Sequence, residues 1–222
     1  MKRPDLLSRR SFLRSAAAIA AAAAVPPWAH ATAPLRAPTL SMTAGPFYPD
    51  ELPLDRDNDL LHYAQHAGEP LGIPLNLTGR VVDARNRALA GVRVEIWQCD
   101  ANGRYHHVGD SNDQDEAFQG YGEFTTTRDG EYAFRTIRPV AYYGRTPHIH
   151  FRLSGQGLEG LTTQMFVAGE PMNEDDGIYN RIRDRAARDA LTVKLAADDS
   201  GRAKLAGRFD IVVVADGRFE TG

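Results

Sequence analysis

Short alternating stretches, cut apart by turn formers, set the limits on how this chain can fold. In Leu75-Asn76-Leu77-Thr78 and Val92-Arg93-Val94-Glu95-Ile96, apolar and polar residues alternate. An extended backbone sends successive side chains to opposite faces, so this period of two is the mark of a half-buried strand. Residues 75–82, 92–98, 132–137, 148–153, 162–167 and 209–214 read as strands on this ground. Asp100-Ala101-Asn102-Gly103 breaks one of them, and Arg128-Asp129-Gly130 reads as a hairpin-like turn into another. The helix candidate is 178–190, where Ile178, Ile182 and Ala186 fall four apart. Many short strands joined by glycine-rich turns predict an all-β fold, a β-sandwich with long loops and one short helix.

The first residues follow a different logic. Ser8-Arg9-Arg10-Ser11-Phe12-Leu13-Arg14 precedes an alanine-rich apolar run over 16–25, and Ala29-His30-Ala31 supplies small residues. Basic, apolar and small-residue regions in that order read as a removable export signal, of the twin-arginine kind. The apolar run falls short of the roughly 20 residues needed to span a bilayer. Cleavage after Ala31 would leave 32–222 as a single domain in the periplasm or outside the cell, with no membrane attachment. Five basic residues against one acid make residues 1–31 +4. With a net charge of −3 overall, the remainder stands near −7. An acidic mature chain argues against a nucleic-acid partner. Cys99 is the single cysteine, so an intrachain disulfide and thiolate metal clusters are both excluded.

Chemistry concentrates in Tyr142-Tyr143-Gly144-Arg145-Thr146-Pro147-His148-Ile149-His150-Phe151. His148 and His150 lie at i and i+2 of a strand, so both rings reach one point on one face. Taken alone, such a pair is most often part of an ordinary strand. Tyr105, after the turn that ends 92–98, sits at a strand end from which a loop can face the histidines. Two phenolates and two neutral imidazoles would be a ligand set for a hard, highly charged transition-metal ion. Two negative charges would largely offset a trivalent ion, and the metal would have to lower the tyrosine pKa far below about 10.

With these residues in view the chain resembles the intradiol ring-cleavage dioxygenases, the family of the protocatechuate 3,4-dioxygenases and catechol 1,2-dioxygenases. Gly103-Arg104-Tyr105 and Tyr142-x-x-Arg145-x-x-His148-x-His150-Phe151 carry the resemblance. Thr43-x-Gly45-Pro46-Phe47-Tyr48, Glu95-Ile96-Trp97-Gln98, Phe118-x-Gly120-Tyr121-Gly122 and Thr162-Thr163-Gln164-Met165-Phe166 extend it from Thr43 to about Val214. It implies one non-haem Fe(III) held by Tyr105, Tyr142, His148 and His150. It also implies a catechol-type substrate cut by O2 between its hydroxyl-bearing carbons to a muconate-type diacid. Family members commonly carry proline after the second tyrosine, where this chain has Tyr143. Tyr142 and Tyr143 are therefore both candidates, and the distance to Arg145 and His148 selects Tyr142. By the same resemblance Tyr142 is a catalytic base, Arg145 a cation that stabilises charge on the ring, and Gln164 a support for Arg145. Tyr48 would line the mouth of the site. His106 and His107 are read as non-ligands and Cys99 as a small core residue.

No long helical N-terminal region is present, which favours the protocatechuate-type architecture and leaves a homo- or hetero-oligomer open. Two rival readings stand beside it. The turns over 83–91 and 128–134 resemble those of transthyretin-like and carbohydrate-associated sandwiches, which would make the chain a non-catalytic binding module. A zinc or copper enzyme built on the histidines is the other.

Overall fold

The computed structural model describes residues 34–63, 66, 68–106 and 113–215. Residues 1–31, read above as an export signal, and His107 lie outside them. Ten strands run in chain order: β1 (Pro74–Asp83), β2 (Arg93–Trp97), β3 (Tyr121–Thr125), β4 (Glu131–Ile137), β5 (His148–Ser154), β6 (Leu161–Val167), β7 (Thr192–Val193), β8 (Ala196–Ala197), β9 (Leu205–Arg208) and β10 (Ile211–Val213). One α-helix, α1 (Arg185–Leu191), and two short 3-10 turns complete the described elements. They build the all-β sandwich that the alternation predicts. Among the described residues no helix is long and apolar enough to cross a membrane.

The first sheet centres on the long β1, which pairs antiparallel with β4 on one side and parallel with β9 and then β10 on the other. The second has the order β3-β2-β5-β6-β7. Between them lie the alternate apolar residues of both: Leu75, Leu77, Val81, Tyr132 and Phe134 from one, Val94, Ile96, Ile149, Phe151 and Leu153 from the other. Burying these side chains supplies the main drive to fold, at about 1.5–3 kcal/mol for each large one.

Two local expectations are corrected. Arg128-Asp129-Gly130 makes a tight turn, with the Gly130 N–H donating to the Thr127 carbonyl. It is not a hairpin, because β3 and β4 belong to different sheets. Thr126 sets the corner instead: its hydroxyl donates to the Leu89 carbonyl and accepts from the Val92 N–H. The helix expected over 178–190 is broken. Residues Tyr179–Arg181 form a 3-10 turn, buried Ile182 is extended at ψ 91°, and α1 begins only at Arg185. Asp184 causes the restart, accepting the N–H groups of Ala186 and Ala187 as an N-cap. β3 and β7–β9 escaped the sequence reading, being short or weakly patterned.

Pairing register positions the site. With Val94, Ile96, Ile149 and Phe151 turned to the core, the alternate residues of β2 and β5 face away from it. Tyr121 pairs with Trp97, Trp97 with His150, and His150 with Gln164. Directly paired residues point to the same side. This row therefore runs across four strands on the outer face, where a second buried cluster forms from Trp97, Cys99, Tyr105, Tyr121 and Tyr142 with Phe47 and Tyr48 against it.

Candidate active site

His148 and His150 are each 1% exposed, and their Nε2 atoms lie 3.2 Å apart. His148 Nδ1 sits 2.6 Å from the Thr146 carbonyl. A carbonyl can only accept, so Nδ1 carries the hydrogen and Nε2 presents a lone pair. His150 lies flat against Trp97, with ring centroids 4.8 Å apart and 6° between planes. Its Nδ1 is buried and has no hydrogen-bond partner among the described residues. Burial, then the Arg145 charge, lowers the His148 pKa to about 4; burial, then His148, pushes His150 well below the usual imidazole range. Both rings are neutral at neutral pH, the state in which imidazole binds metals.

Both tyrosines reach the same place by tight turns. After β2 the buried Asp100 carboxylate accepts the N–H groups of Asn102 and Arg104, and Gly103 adopts φ +73°. Tyr105 thereby folds back to lie 6.3 Å from His150 and 5.0 Å from Tyr142, measured between rings. Tyr142 and Arg145 close a four-residue turn by exchanging backbone hydrogen bonds, with φ +43° at Tyr143 and +77° at Gly144. Two consecutive positive φ values mark a mirror-image turn, which Gly144 accepts without cost. It sends the two neighbouring tyrosines opposite ways. Tyr142 is 8% exposed and 5.4 Å from His148, ring to ring. Tyr143 is 66% exposed and its hydroxyl accepts from Arg104. Burial raises both the Tyr105 and Tyr142 phenols above their usual value, Tyr105 far above it.

Arg145 is held by two bonds. Nε donates to the Asp176 carboxylate at 2.7 Å and Nη2 to Gln164 Oε1 at 2.9 Å. Its charge favours the neutral forms of both imidazoles and the ionised forms of both phenols. Those are the protonation states that a metal requires of these four donors. Among the described residues no group of three His, Cys, Asp or Glu side chains is placed to hold a metal ion. The oxygen donors beside the imidazole pair are the phenols of Tyr105 and Tyr142. Two facing imidazole nitrogens, two converging phenols and a fixed cation biasing all four fit a metal ion.

Gln164 accepts from Arg145, while its amide nitrogen donates to the Thr43 carbonyl. His106 turns to the Asp115 carbonyl, away from the histidine pair. Cys99 is buried beside Tyr105 and Tyr142. The Tyr48 hydroxyl donates to buried Glu95 at 2.8 Å, and Phe47 stacks on Tyr105. Sequence reasoning gave no role to Trp97 or Asp176. Trp97 had a signal, a large aromatic on the polar face of its strand with Arg93 and Glu95. Asp176 had none. Its carboxylate, fully buried, accepts from Arg145, from the Thr146 N–H and from the N–H groups of Ile178 and Tyr179.

Comparison with known proteins agrees with the fold. A family model described as Dioxygenase matches residues 43–215. The protocatechuate 3,4-dioxygenase beta chain of Burkholderia cepacia is 39% identical over 71% of this chain and 71% of its own length. The catechol 1,2-dioxygenase of Candida albicans is 27% identical over 78% of this chain, which spans 59% of that protein. The dioxygenase domain of a dioxygenase carbohydrate-binding protein fusion from Streptomyces sp. SirexAA-E superposes with a TM-score of 0.63 at 30% identity, covering 81% of this chain and 99% of that one. The class these findings define is a dioxygenase. The chain belongs to the intradiol ring-cleavage dioxygenase family.

Proposed function

We propose that this protein is a non-haem Fe(III) enzyme that cleaves a catechol-type ring with O2 between its two hydroxyl-bearing carbons, giving a muconate-type diacid. The observation that carries it is the approach of two buried imidazole nitrogens to 3.2 Å beside two buried tyrosines. Tyr105, Tyr142, His148 and His150 are the residues that would hold the iron. Two anionic oxygens suit a hard trivalent ion over zinc or copper. When bound, Fe(III) withdraws electron density from the catecholate ring and supplies the one-electron chemistry that O2 needs.

The chain's own groups do the rest. If metal binding holds Tyr142 as a phenolate, its oxygen would be the group to receive a proton from a substrate hydroxyl, which would be base catalysis without a carboxylate. Arg145, held by Asp176 and Gln164, stabilises negative charge on the ring. Phe47, Trp97 and Tyr105 line one pocket with aromatic surface. The named relatives act on protocatechuate and catechol. We assign this chain the shared catechol unit. Export through the arginine-pair segment is part of the same proposal, and retention of the intact chain in the cytoplasm would refute it.

The test is a visible absorption spectrum with iron analysis, before and after anaerobic catechol or protocatechuate. A broad tyrosinate-to-iron band that shifts with one of them supports the reading and ranks the substrates. A colourless protein after iron loading would favour the binding-module reading.

A further inference from the structure

One buried carboxylate lies on the same sheet face but outside the site. Glu95 is 3% exposed, two residues before Trp97 on β2. It accepts from the Tyr48 hydroxyl at 2.8 Å and from the Tyr121 hydroxyl at 2.6 Å, with Arg93 Nη2 at 3.5 Å. The Arg152 guanidinium lies over the Tyr48 ring, 4.9 Å from its centroid. A buried charge needs partners of this number and kind.

The Tyr48 end matters because of what its loop covers. Residues 43–49 form no regular element. Gly45, at φ +68°, brings the backbone so close that a Cβ there would lie 3.5 Å from His150 Cε1. Phe47 stacks on Tyr105, centroids 4.8 Å apart and planes 13° apart. Tyr48 meets Trp97 edge-on at 5.0 Å, and Trp97 lies flat on His150. A loop without a ladder keeps such a place through side-chain anchors, and the described residues show one at each end. Gln164 donates to the Thr43 carbonyl at one end, and Tyr48 donates to Glu95 at the other.

We propose that Tyr48 is a positioning residue, whose hydroxyl on buried Glu95 pins the 43–49 loop across His150 and Tyr105. Its catalytic consequence rests on the function proposed above; the pin itself does not. Losing a hydrogen bond to a charged group loosens the loop on the order of tenfold.

Hydrogen–deuterium exchange of the full chain tests it. In Tyr48→Phe the ring packing stays and the hydroxyl goes. The Gly45 amide, which donates to Thr43 Oγ1 inside the loop, should exchange on the order of tenfold faster, while β2 and β5 keep wild-type rates. Glu95→Gln, which keeps an acceptor but loses the charge, should give a smaller rise. Tyr121→Phe removes the other hydroxyl from the same carboxylate and should leave the loop unchanged. In the iron-loaded enzyme Tyr48→Phe should keep its metal and lose about tenfold in kcat/KM. Unchanged loop exchange in Tyr48→Phe, equal acceleration throughout the molecule, or the same loosening in Tyr121→Phe would overturn the proposal. Exchange needs no turnover, so a chain that binds no iron yet loosens in Tyr48→Phe refutes the enzyme reading and keeps the pin.

Discussion

Single side chains at the cluster carry separable duties, and substitution should separate them. Tyr105→Phe and His148→Ala each remove a proposed donor, so metal analysis should show iron lost and the visible band gone. Arg145→Ala should keep iron and colour while kcat falls about 100- to 1000-fold, the usual cost of one electrostatic donor. Wild-type turnover in that variant would take Arg145 out of the mechanism. Asp176→Asn sets an amide N–H against the Arg145 Nε and the Thr146 N–H, both donors. A charge left without its partner at a buried pair costs roughly 3–5 kcal/mol, so urea denaturation should register a loss near 3 kcal/mol. A change within 0.5 kcal/mol would mean that Gln164 alone suffices to hold the guanidinium.

Elements succeed or fail here by close approaches that a side chain cannot tolerate. Gly79 sits on β1 opposite Tyr132, and an added Cβ would lie 1.9 Å from the Phe209 carbonyl oxygen. Tyr132 donates to that same carbonyl across the glycine. Gly79→Ala must push backbone from backbone at the junction of β9 and β10, so the denaturation midpoint should drop by an amount equal to roughly 3 kcal/mol. At the other end of the chain, Asp184→Ala removes the cap of α1 at a cost of about 1 kcal/mol, read as faster exchange of the Ala186 and Ala187 amides.

Across the whole molecule, stability should depend on acid through carboxylates tied into the fold. Burial works to raise the Asp83 pKa, but it is outweighed by hydrogen bonds from the Arg87 and Arg85 N–H groups and the Arg87 guanidinium, leaving it below its ordinary 3.8. A lowered folded pKa adds stability above the unfolded value, and that stability is lost as pH falls through the folded one. Wild-type denaturation curves should therefore weaken below 3.8, and Asp83→Asn should weaken less steeply there. Parallel acid limbs for the two proteins would remove Asp83 from the account.

Much of the sandwich and of its site was legible because both follow from local periodicity. Alternation in 75–82, 92–98 and 148–153 marks which residues face the core, and it alone puts His148 and His150 on one face. The arginine and tyrosines upstream gave the family resemblance its specificity. Other features depend on where distant segments meet. Nothing near Asp176 in the sequence points to Arg145, 31 positions away, because their bond exists only after the 3-10 turns dock on β6. The choice between Tyr142 and Tyr143 rests on backbone φ signs in one turn, to which hydrophobic pattern is blind. The helix over 178–190 failed because a cap at Asp184 outranked a periodicity of four. The contacts of Tyr48 with Glu95 and of Phe47 with Tyr105 likewise form only where the loop meets residues distant in the sequence. Pattern decides which face each strand residue takes; register, turn handedness and long-range hydrogen bonds decide what that face meets.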